Sequence, residues 1–149
     1  MNLRKFTSIM GWIFLLIGVL GFIPGLLTPP HVGDPSLAAT DSYGRFLGLF
    51  PVNSIHNMVH LVFGLWGVTA SKDLLASRKF CKANCVIYGV LAVMGLIPGL
   101  NTLFRLMPIH SHDIWLHAGI AIATGYFGFA WGVTRKTVTN APSDQRLGA

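Results

Sequence analysis

The chain has 149 residues, of which 52% are hydrophobic and 11% charged, and its net charge is +6. A soluble domain usually carries about 25% charged residues, so this chain cannot coat itself in a solvated surface, and lipid is the environment its composition fits. The basic residues cluster between apolar stretches, where they orient a membrane protein; no basic face interleaved with aromatics marks a nucleic-acid surface, and nucleic acid is excluded as a partner.

Four apolar runs follow one another, each close to the roughly 20 residues that cross a hydrocarbon core. They cover about 9–27, 51–70, 83–100 and 114–133, and none contains Lys or Arg. Arg4 and Lys5 precede the first run, as they would in a signal peptide, but Leu37-Ala38-Ala39 lies too far on to serve as its cleavage site, so the run is expected to be retained. Lys72, Arg78, Lys79 and Lys82 lie between the second and third runs, and Arg135, Lys136 and Arg146 follow the fourth. Only Arg45 and Arg105 occupy the other two connections, so both termini and the middle loop are expected in the cytoplasm. The loop 28–50 and the link 101–113 then face outward. Trp12, Trp66, Trp115 and Trp131 stand nearer the ends of runs than their middles, as interfacial aromatics do. Residues 137–149 are polar and aperiodic and read as a flexible cytoplasmic tail behind a single membrane domain, 1–136. Cys81 and Cys85 fall on the cytoplasmic side, where thiols stay reduced, and read as small packing residues.

The second half of the chain resembles the first. Gly21-Phe22-Ile23-Pro24-Gly25-Leu26 returns 74 residues later as Gly95-Leu96-Ile97-Pro98-Gly99-Leu100. Pro51, Ser54 and His60 return 57 residues later as Pro108, Ser111 and His117. The expected fold is therefore an all-α membrane protein: a four-transmembrane-helix bundle of two tandem parallel helical hairpins, about 8–71 and 83–134, related by a pseudo-two-fold axis along the membrane normal. Pro51 and Pro108 suit the first turn of a helix, and Pro24 and Pro98 are expected to end or kink theirs. Gly21 with Gly25, and Gly95 with Gly99, offer places for close helix approach.

His56 and His60 are four apart, as are Asp113 and His117, so each pair shares one helix face above small residues (Gly64 and Gly67; Ala121 and Thr124). Ionisable groups inside a membrane are costly and mark function or a buried partner. Three imidazoles and a carboxylate, from His56, His60, Asp113 and His117, form a ligand set for zinc, copper, iron or manganese. Asn53, Asn57, His110 and His112 are expected around it as supporting or entry residues. Three other readings compete. The histidines and Asp113 form a structural hydrogen-bond network, with Asp113 capping its helix. They relay a proton or solute. Or His60 and His117 bind haem axially, which ranks below direct metal ligation because small residues leave little room.

The stretch from Gly21 to Gly25, Leu47 to Leu61 with its Pro-Val-Asn-Ser-Ile-His-Asn-Met-Val-His core, and Asp113-Ile114-Trp115-Leu116-His117 resembles a bacterial family of small four-span integral membrane proteins of unknown function. The resemblance covers roughly 5–136. Asn53, His56, Asn57 and His60 match that family's first motif, and Asp113 and His117 its second, whereas Ile114 stands where the family tends to have Asn. It implies a multi-pass protein of the bacterial cytoplasmic membrane or the thylakoid, and it implies no activity. No nucleophile–base pair, phosphate loop or nucleotide fingerprint is present, and Ser54 and Ser111 beside histidines do not make a catalytic dyad. The function expected is a membrane protein with a His/Asp site between its second and fourth helices, more a binding protein than an enzyme. The alternative is a structural or assembly subunit, partnered by another membrane protein or by its own copies.

Overall fold

The computed structural model describes residues 1–132. The expected tail 137–149, Val133 at the end of the fourth run, and Arg135, Lys136 and Arg146 lie outside the described residues. Four α-helices dominate: α1 (Leu3–Leu20), α2 (Ser54–Ala70), α3 (Leu74–Gly95) and α4 (His112–Gly125), the last continuing as a π-helical turn over Tyr126–Ala130. One of them, α1, is long and apolar enough by length and composition to cross a membrane. α2 has 17 residues, α4 has 14 before its π turn, and α3 carries Arg78, Lys79 and Lys82 in its opening turns.

α1, α2 and α3 each start where a polar side chain can accept an amide that has no partner inside the helix. Asn2 accepts from Lys5 N at 2.8 Å, Asn53 from His56 N at 2.9 Å, and Asp73 from Ala76 N at 2.7 Å. α4 differs: Ser111 precedes it at φ 62° with no capping bond from its side chain, and Asp113 supplies negative charge to its first turn. The boundaries correct the expected roles of Pro51 and Pro108 and leave those of Pro24 and Pro98 standing. Pro51 belongs to a strand and Pro108 to the irregular link, so neither opens a helix. α1 and α3 stop at Leu20 and Gly95, before Pro24 and Pro98 are reached.

A three-stranded antiparallel sheet, absent from the all-helical expectation, caps one end: β1 (Leu27–Thr28), β2 (Gly44–Phe46) and β3 (Phe50–Val52), in the order β1-β2-β3. Arg45 pairs with Thr28 on one side and Pro51 on the other. Pro51 is tolerated because β3 is an edge strand, where its missing amide costs no ladder bond. Asn53 then fixes this cap to the helices: its side-chain amide donates to Ala39 O at 2.9 Å and to Leu106 O at 2.8 Å, joining both connections at this end. Its side-chain carbonyl oxygen meanwhile caps the turn that carries His56.

α1 packs chiefly on α2, and α3 on α4. The α1–α2 contact is backbone to backbone: a Cβ on Gly67 would lie 2.7 Å from Gly11 Cα, and one on Gly11 would lie 2.5 Å from Val68 N. The two hairpins meet through α1 and α3. Phe14 stacks on Tyr88 with ring centroids 5.5 Å apart, and Thr7 Oγ1 lies 3.6 Å from Cys81 Sγ. Phe6 stacks on Phe127 at 4.0 Å, and Trp66 meets Phe80 edge-on at 5.1 Å. Such aromatic pairs contribute about 0.5–1.5 kcal/mol each beyond the area they bury. Polar side chains share this interior: Thr7, Ser77, Asn84 and Thr124 are fully buried, while Trp12, Leu16, Met58, Val62, Val86, Val90, Trp115 and Ile122 are exposed on the outside.

Candidate metal centre beneath the sheet

The α2 turn that follows the Asn53 cap carries His56 and, one turn on, His60. Their rings stack at 4.7 Å with planes 14° apart. α4 brings Asp113 and His117 up on the facing side, again one turn apart. All four are buried. His56 Nδ1 lies 3.9 Å from Asp113 Oδ2, and the His56 and His117 rings are 6.3 Å apart. One ligand atom each from His56, Asp113 and His117 can be chosen so that all lie within 4.8 Å of one another. His60 stands beside this trio rather than in it.

The surroundings are aromatic and apolar. Phe14 lies 5.7 Å from His60, and Tyr88 lies 5.2 Å from His117. A cavity of about 60 Å³ opens next to the cluster, lined by Ile17, Phe46, Phe50, Val52 and Leu116 together with His56, His60, Asp113 and His117. Four buried polar atoms there have no hydrogen-bond partner: Nδ1 of His56, His60 and His117, and Oδ2 of Asp113. Leaving a buried polar atom unpaired costs about 1–3 kcal/mol, so their convergence in one place needs a compensating partner.

The other expected residues fall elsewhere. Asn57 is fully buried against Gly21, where a Cβ would sit within 2.8 Å of the whole Asn57 amide, and neither of its amide atoms finds a partner. Gly25 and Gly99 face open space, so the close approach expected at the Ile-Pro-Gly segments is made by Gly21 and Gly95 alone. His112 is exposed, packs edge-on against Phe50 at 6.2 Å and faces Ser111 Oγ. His110 is buried and does not line the cavity, and burial holds its imidazole below the ordinary value.

Sequence reasoning missed a polar strap over the site. Arg45 is 5% exposed. It grips Asp34 with two bonds, Nε to Oδ2 at 2.9 Å and Nη2 to Oδ1 at 2.6 Å, and its Nη1 donates to Leu49 O and Ser111 Oγ. The guanidinium lowers the Asp34 carboxyl, and Asp34 raises Arg45 in return. Arg45 thus ties the sheet to Ser111 at the start of α4, two residues before Asp113. A lone Arg on a connection otherwise poor in basic residues, eleven positions after an Asp, was the available signal. The cavity-facing Phe46 and Phe50 had none, because their orientation depends on the sheet.

These features define a helical protein of two packed hairpins, one helix of which is apolar enough for a membrane, with a buried His/Asp cluster under a small sheet. The family model described as a domain of unknown function (DUF4383) matches residues 4–130, and the chain belongs to that family. Neither the curated proteins nor the solved structures contain a match.

Proposed function

We propose that this protein is a four-span membrane protein that binds one first-row transition-metal ion through His56, Asp113 and His117. The observation that carries the reading is the convergence of two imidazoles and a carboxylate, all buried, with ligand atoms within 4.8 Å of one another. The chemistry fits: neutral imidazole and carboxylate suit zinc, iron, manganese or copper, and an ion would pair the nitrogen and oxygen atoms that otherwise lack partners. A cavity of about 60 Å³ accommodates an ion and a small ligand. Haem would need the several hundred Å³ typical of organic-ligand pockets.

Membrane embedding of all four helices is supported by the inverted distribution of polarity. Away from the basic helix ends, large apolar side chains lie exposed on the outside of all four helices, and the interior holds Thr, Asn, Ser, His and Asp among its aromatic residues. In lipid that arrangement satisfies both environments. The hairpin repeat is supported by contacts between matched positions. Thr7 with Cys81 and Phe14 with Tyr88 are pairs of residues 74 apart in contact. Phe14–His60 and Tyr88–His117 are one contact made twice. Positive-inside bias puts the sheet and the site on the outer side, and the Arg4–Ser71 end in the cytoplasm.

Elemental analysis of the detergent-purified protein tests the reading. We expect about one equivalent of a first-row metal, with affinity reduced at least a hundredfold in His117→Ala, beyond the 10–100-fold cost typical of an outer-sphere change. Wild-type protein that neither contains nor takes up zinc, iron, manganese or copper would sink it.

A further inference from the structure

The three ligands of the proposed centre come from only two directions. Asp113 and His117 lie one turn apart on α4, and His56 approaches from α2. Metal centres built from two histidines and one carboxylate characteristically keep positions free for exogenous ligands. Here the space beside the ligands is the cavity, and what lines the rest of it decides whether the protein closes the coordination sphere. Ile17, Phe46, Phe50, Val52 and Leu116 offer it no nitrogen, oxygen or sulfur side-chain donor. The one further donor is His60, whose ring is held nearly parallel to that of His56 at 4.7 Å and against Phe14 at 5.7 Å. Its nitrogens fall outside the trio that can meet at one point. A volume of about 60 Å³ exceeds the roughly 10–15 Å³ that a cavity needs to hold one water and falls far short of an organic substrate.

We propose that the centre is an open one: the ion carries a small exogenous ligand in the cavity, of the size of water, hydroxide or a two- to three-atom anion. His60 positions that ligand by a hydrogen bond from its ring and does not bind the metal itself. Leu116, partly exposed on α4 at the cavity wall, is where such a ligand enters. This inference rests on the metal-binding reading, and the experiment separates the two.

Cobalt(II) reports its coordination through its visible absorption. The full-length protein in detergent is loaded with cobalt(II) and titrated with azide. The expected result is one cobalt per chain with a saturable change in the visible spectrum. His60→Gln should keep the cobalt and weaken azide binding about tenfold. Leu116→Trp, which fills the cavity wall, should keep the cobalt and abolish the azide response. Cobalt bound with a spectrum that azide leaves unchanged would overturn the open centre while leaving metal binding intact. Loss of cobalt from His60→Gln would make His60 a ligand, and the assignment given to it here would be wrong. Failure of wild-type protein to bind cobalt, zinc or iron overturns the site itself and this inference with it.

Discussion

The two hairpins carry matching sequence landmarks and yet are held together differently. In the first, α1 and α2 cross on glycine against glycine, so that Gly11, Gly64 and Gly67 bring the middle of α1 onto the second half of α2. In the second, the positions matching Gly64 and Gly67 are Ala121 and Thr124, Gly89 meets only Ala121 at an ordinary 3.9 Å, and Gly119 has open space. Close approach there falls at the two ends, where Gly95 meets Ile109 and Ile114 at one and Gly125 meets Cys85 and Gly128 meets Lys82 at the other. The connections differ as well. The longer one folds into the sheet and the Asp34–Arg45 strap; the shorter runs as turns with Leu103, Phe104 and Arg105 all at positive φ. The two hairpins thus each carry a polar pair one turn apart, while the first packs on glycines and the second supplies two of the three candidate ligands.

Substitutions that fill the glycine crossing should have the largest effect. Gly67→Leu puts a side chain where Gly11 backbone already lies, and backbone cannot step aside as a side-chain end can. We expect a loss of about 3 kcal/mol or more, the upper end of overpacking costs, read as a fall in the thermal unfolding midpoint in detergent. A variant as stable as wild type would show that α1 and α2 do not cross as described.

Breaking the strap comes next. Arg45→Gln leaves the part-buried Asp34 without its cation, and losing a hydrogen-bonded partner of a charged group typically costs about 1.5–3 kcal/mol. The effect should be confined to the sheet end. Hydrogen exchange is expected to accelerate at Gly44–Val52 and the first turn of α4, with the α1–α2 crossing unchanged.

Acid should act through the same pair. The Asp34 carboxyl sits below its ordinary 3.8 in the folded protein because Arg45 bonds its charged form. Its folded value is the depressed one, so its contribution is complete above about pH 4 and is lost as the pH falls through the folded value. Unfolding midpoints measured from pH 6 downward should drop more steeply for wild type than for Asp34→Asn. Parallel curves would show that the pair carries no such linkage.

The smallest change is a gain. Gly119→Ala adds a methyl group where nothing lies within 4 Å, and removing a helix-interior glycine is worth about 0.5–1 kcal/mol. A loss instead would mean that this face of α4 is covered by a partner.

The sequence was informative wherever a physical constraint is local. Uninterrupted apolar runs of helical length announced four helices, because a chain with so few charges has little else to do with them. The spacing of four between His56 and His60, and between Asp113 and His117, put each pair on one face whatever the tertiary packing. The returns of Ile-Pro-Gly and of Pro…Ser…His located the two halves. What composition left open was decided at longer range. Pro51 was compatible with a helix start, and became an edge strand because Arg45 and Phe46 pair alongside β3. Asn53 was legible as a residue near the site, but not that its Oδ1 caps α2 while its amide reaches both connections at once. Arg45 and Asp34, eleven residues apart in an irregular loop, meet only once the sheet forms. Asp113 comes within 3.9 Å of His56 because two helices 57 residues apart in the chain converge beneath that sheet. No local spacing encodes such an approach: it depends on the bulk of Phe14 and Tyr88 between the hairpins and on the glycines that set how near each backbone can come.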